Sequence, residues 1–107
     1  MFFALSALLI SSAFSSVKAE MLHRYPTYRQ QIAQVGMPSV GYRERLMFSV
    51  RHMRFMAGRC DLFAKPQVIV VRDRNNAITM FRLRHELSHF VAFAAGLPVK
   101  EHERIDR

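Results

Sequence analysis

The chain opens on an apolar run, Phe2 to Ile10, that passes through a Ser-rich stretch to Val17-Lys18-Ala19. Val17 and Ala19 supply short side chains at the two positions a signal peptidase reads, so 1–19 has the pattern of a cleavable secretory signal. Its apolar core is shorter than the ~20 residues a spanning helix needs. No Lys or Arg precedes that core, which leaves two other readings: a core helix of a cytoplasmic protein, or a shorter chain starting at Met21. The expectation is a signal peptide or N-terminal anchor over 1–19, a single domain over 20–107, and an exported protein, periplasmic or secreted.

Past that segment the hydrophobic pattern changes period several times. Pro26 suits a first helical turn, Tyr28, Ile32 and Val35 recur at helical spacing, and Gly36 with Pro38 ends the run, which predicts a short helix. Residues 37–42 read as turn. From Arg43 a second helix is predicted, with Leu46, Met47, Val50, Met53 and Ala57 inside one arc and Gly58 as its stop. Gln67-Val68-Ile69-Val70-Val71 follows Pro66 and precedes Asp73-Arg74-Asn75-Asn76, a strand and then a turn. A lone strand needs partners, so 39–42 and 60–65 must supply sheet edges or the fold is mostly helical.

The last pattern predicts a helix from a cap at Asn75 or Asn76 through Ala95, with Gly96 and Pro98 closing it. At 100° per residue, Met80, Leu83, Leu87, Phe90, Val91 and Ala94 form an apolar back. Ile78, Phe81, His85, His89 and Ala92 form a second apolar arc in front. A helix apolar on two sides is a central one, and imidazoles inside such an arc need partners, because burying an unsatisfied polar group is costly. The fold class expected from these elements is α+β, a short sheet packed on this helix.

Composition narrows the chemistry. One cysteine, Cys60, in 107 residues excludes an internal disulfide framework and any zinc site built on two thiolates. Cys60 is expected to be a half-buried free thiol. Cleavage after Ala19 would leave 88 residues (107 − 19) carrying +7, since Lys18 goes with the leader. A domain that small has a thin core, to which a bound metal would add stability.

His85-Glu86-Leu87-Ser88-His89 is H-E-x-x-H on the predicted helix. The i, i+4 spacing turns both imidazoles to one side, where they can bind one Zn²⁺. Glu86, about 100° round the helix, is placed as general base for a water on that metal. A shuffled chain of this composition would contain the pattern with a chance of about 1%.

These residues resemble the zincins, the zinc metallopeptidase superfamily whose active-site helix carries this motif. The resemblance covers about thirty residues, from the strand at Gln67 to Leu97, and implies a small zincin-like fold with His85 and His89 as ligands and Glu86 as base. It names no substrate beyond a peptide or protein. Ala95 stands where the elongated metzincin motif needs a histidine. Small domains similar to the SprT-like group place a third histidine shortly past the active helix, which implies His102 as third ligand, with Glu101, Glu103 and Asp106 as alternatives. Such domains have Gly after that histidine and an aromatic four residues on, where this chain has Glu103 and Asp106. For an oxyanion-stabilising group, Tyr42, His52, His23 and the arginines all stay open.

Thirteen of the sixteen basic residues are Arg, only Lys18, Lys65 and Lys100 being lysines, and the net charge is +8. Arginine suits phosphate and carboxylate recognition. The arginines of the second predicted helix spread around it and form no single basic stripe, so the plainer reading is a solvated cationic surface. The functional one is attraction to a polyanion, an anionic envelope surface if the protein is exported and nucleic acid only if it is cytoplasmic. The competing function is a non-catalytic, exported cationic binding protein whose histidine pair is structural or coincidental.

Overall fold

A computed structural model of the chain describes residues 7–98. The candidate third ligands Glu101, His102, Glu103 and Asp106 lie outside them. The fold is α+β, as expected. Helix α1 (Ala7–Arg24) is followed by a 3-10 turn (Pro26–Tyr28) and short α2 (Arg29–Ala33). Strand β1 (Ser39–Arg43), a hairpin of β2 (Met47–Ser49) and β3 (Arg54–Met56), strands β4 (Gly58–Asp61) and β5 (Gln67–Val71), and helix α3 (Asn76–Ala94) complete the order. The main sheet runs β1-β5-β4, with β1 parallel and β4 antiparallel to the central β5.

The central strand is the one with the uninterrupted β-branched run. Val68, Ile69, Val70 and Val71 are all buried, which suits a strand covered on both faces and flanked on both edges. Ser39–Arg43 pairs along one side of it and Gly58–Asp61 along the other. Residues 39–42 supply one edge as the lone strand required, in place of a predicted turn, whereas of the expected edge 60–65 only Cys60 and Asp61 belong to β4, which begins at Gly58. Helix α3 packs against β4 and β5, and α1 packs against α3. Val68 and Val70, Leu83, Leu87, Phe90 and Val91 meet Ile32 of α2 in one core.

The start of α3 is pinned by side chains. Asn75 accepts from Ala77 N at 2.8 Å, Asp73 accepts from Asn75 N at 2.8 Å, and Thr79 Oγ1 accepts from Asp73 N at 2.9 Å. Arg82 donates back to the Val71 carbonyl at 2.9 Å, tying the helix to the end of β5. At the far end Gly96 takes φ +71, the left-handed C-terminal conformation that glycine adopts without penalty.

Helix α1 crosses the predicted cleavage point. Ala13, Phe14 and Val17 before it and Met21 after it are all buried in the core. Lys18 donates to the carbonyls of Ala33 and Val35, both at 2.9 Å, and so satisfies acceptors left open at the end of α2. Arg84 of α3 donates to Ser16 Oγ at 3.1 Å. Among the described residues no helix is long and apolar enough to cross a membrane.

The predicted helix from Arg43 to Ala57 is corrected by the structure to a hairpin. Its helical arc has nothing to pack on: Leu46, Val50 and Met53 are exposed, and a helix that cannot bury its apolar stripe loses its main stabilisation. Pairing instead sets Met47 opposite Met56 and Phe48 opposite Phe55, the latter two rings meeting edge to face at 5.1 Å. The turn is held by His52 N donating to Ser49 Oγ at 3.2 Å, with Met53 in the left-handed region at φ 52. Gly58 is therefore a strand residue and stops no helix.

Candidate metal centre

The spacing within α3 brings the two motif histidines into contact. Their Nε2 atoms lie 3.1 Å apart and the rings meet edge to face with centroids 4.5 Å apart. Two nitrogens at 2.0–2.1 Å from one tetrahedral ion stand ~3.3 Å apart, so the pair fits a shared zinc. The same distance also suits a hydrogen bond in which one ring carries the Nε2 proton. Each ring is flanked by an aromatic one turn away: Phe81 stacks on His85 at 6.3 Å and Phe93 on His89 at 5.6 Å. The column Phe81, His85, His89, Phe93 was present in the sequence as a four-residue period, although Phe93 lay outside the front arc considered there. Helix α3 is central, packed between α1 and the sheet, but its front arc is only partly covered: Ala92 is buried in the core, both histidines are half-buried, and Phe81 and Ile78 are exposed.

A cleft with a volume of about 670 Å³ lies between the hairpin, β4 and α3, within the usual size range of small-molecule pockets. His85, Glu86 and His89 line its helical wall. Opposite them the β4–β5 register sets Gly58 across from Val70 and Cys60 across from Val68. Cross-strand partners share a face, and Val68 and Val70 pack on α3, so Gly58 and Cys60 also point toward the helix. Glu86 lies against the backbone of Gly58, where a Cβ would stand 2.8 Å from its Cγ and 2.9 Å from Oε2. No sequence motif marks Gly58; only the strand register reveals why the position is bare.

Cys60 is a half-buried free thiol, as expected. Burial, then the negative charges of Glu86 and Asp61, push its pKa up to about 12. Near neutral pH, with no metal bound, it is a neutral thiol.

Among the four open candidates for oxyanion stabilisation, the structure separates two groups. His52, Arg51, Arg54 and Arg59 line the cleft. His23 sits in the last turn of α1 and Tyr42 on β1, two strands from β4, and neither lines the cleft. The Tyr42 hydroxyl is buried without a hydrogen-bond partner among the described residues, its pKa raised by burial against the opposing effect of Arg72, whose guanidinium stands 4.9 Å from its ring. Arg59 is partly neutralised by Asp61 at 3.6 Å.

Among the described residues no three His, Cys, Asp or Glu side chains gather to hold a metal ion. A catalytic zinc keeps three protein ligands, and at this point the described residues offer two, His85 and His89. No protein family, curated protein or solved structure matches the chain.

Proposed function

We propose that this protein is a zinc-dependent peptidase, with His85, His89 and His102 holding the ion and Glu86 as general base. The observation that carries the reading is the 3.1 Å approach of the two Nε2 atoms in a cleft that also takes in the Glu86 carboxylate. When bound, Zn²⁺ supplies Lewis acidity that polarises a carbonyl and acidifies water. Glu86 takes the proton from water as its oxygen bonds to the scissile carbonyl carbon, and delivers that proton to the amide nitrogen as the C–N bond breaks. Phe81 and Phe93 hold the imidazoles in orientation from either end of the column. His52 and the cleft arginines are the side chains available to a developing oxyanion.

The test is metal content and hydrolysis on untagged protein. Wild type and Glu86→Gln are expected to carry about one zinc per chain, His89→Ala none, and only wild type to cleave peptides. A chain that takes up no zinc on reconstitution would overturn the proposal and leave the cationic binding protein as the better account.

A further inference from the structure

The β2–β3 hairpin exposes apolar side chains that take no part in the buried core. Phe48 is 50% exposed, Val50 78%, Met53 72% and Phe55 63%, and no residue from 47 to 56 belongs to the buried core. Scattered exposed hydrophobics are ordinary, but a cluster on one projecting element marks an interaction surface. A two-stranded hairpin is marginal on its own, so the fold gains little from keeping these side chains apolar. Phe48 and Phe55 face each other across the strands, and Val50 and Met53 stand on the turn that joins them.

The same segment is cationic throughout. Arg45, Arg51 and Arg54 lie within residues 45–56, which contain no Asp or Glu. We propose that this hairpin docks the protein on a bilayer surface rich in anionic lipid, with the turn entering the headgroup boundary and the arginines meeting lipid phosphates. The charge selects an anionic partner, and the apolar turn selects a bilayer over nucleic acid. Contact with a phosphate backbone would leave Val50 and Met53 in water, whereas the acyl boundary removes both from it. This inference uses neither the histidines nor Glu86, although Arg51 and Arg54 also line the cleft.

The chain contains no tryptophan, so Val50→Trp in the full-length protein is a single reporter of the turn. Mixed with vesicles of phosphatidylcholine and phosphatidylglycerol in equal parts, its emission is expected to shift to the blue, with no shift on phosphatidylcholine alone and reversal by salt. In co-sedimentation with the mixed vesicles, Arg51→Ser and Arg54→Ser are each expected to weaken partitioning roughly fivefold. Val50→Asp combined with Met53→Asp should weaken it by roughly tenfold or more while the melting temperature stays at the wild-type value. Unchanged tryptophan emission with both vesicle types would overturn the proposal. So would partitioning undiminished by the two aspartates, or duplex DNA binding that survives those aspartates in a protein showing no vesicle partitioning.

Discussion

Gly58 and Glu86 occupy adjoining space so closely that a single methyl group on the strand would stand 2.8 Å from the glutamate Cγ and 3.1 Å from its Cδ. The bare backbone of β4 is what lets the carboxylate lie across the strand beside the histidine pair. Gly58→Ala must therefore displace Glu86 from its stem, because the clash reaches Cγ and not only the mobile carboxylate end. Zinc content is expected to match wild type while kcat for peptide hydrolysis falls by about tenfold or more, as small misplacement of a general base is costly. Equal loss of metal and activity would assign Gly58 to the fold alone.

Zinc should stabilise the folded chain through the histidine pair. At a hundredfold excess over its dissociation constant a ligand adds about 2.7 kcal/mol, which for a domain this small raises Tm by roughly 10–20 °C. Calorimetry with and without zinc is expected to show that rise in wild type and in Glu86→Gln, and none in His89→Ala.

Helix α1 links the amino-terminal segment to the fold. Phe14 and Val17 each bury an apolar side chain worth about 1.5–3 kcal/mol, and whole domains are stable by only about 5–15 kcal/mol. A chain starting at Glu20 is expected to lose its cooperative melt by circular dichroism. Lys18→Met, which removes the two hydrogen bonds to Ala33 and Val35, should cost about 2 kcal/mol in urea unfolding. A truncated chain that melts like the full one would show that 1–19 is dispensable to the domain, as a cleaved leader must be.

Cys60 reports on its neighbours through its titration. With its pKa pushed up to about 12, alkylation at neutral pH should run slower than for an open thiol. Glu86→Gln removes one of the charges that raise it and should speed the reaction. The folded state holds this proton more tightly than the unfolded chain, whose thiol titrates near 9.0. Its contribution to stability is thus complete below pH 9.0 and lost as pH rises toward about 12. Cys60→Ala is expected to flatten that alkaline loss in pH-dependent melts.

The elements legible in the chain were those whose signals are local. The run Val68–Val71 needed no tertiary information to be a buried strand, because β-branched side chains on four successive positions suit a strand covered on both faces. Asn75 and Gly96 delimit α3 by satisfying its end groups within a few residues. The i, i+4 geometry of one helix is enough to bring His85 and His89 together. His102 was suggested only by the resemblance to small SprT-like domains, and it lies outside the described residues.

What tertiary structure decided was everything that depends on a partner. Residues 43–57 carry an apolar arc at helical spacing, yet Phe48 and Phe55 found each other across a hairpin, because the arc had no surface to bury against. Gly58 reads as a helix stop in the sequence and becomes the clearance for Glu86 only once β4 is aligned with β5. The segment 7–24 has the same residues whether it is a leader or a core helix; Phe14 and Val17 became core when α3 offered them an apolar face. Periodicity and capping are properties of a few neighbouring residues, so the sequence alone determines them. Clearance, burial and the cleft are relations between distant segments, and they exist only where packing brings those segments together.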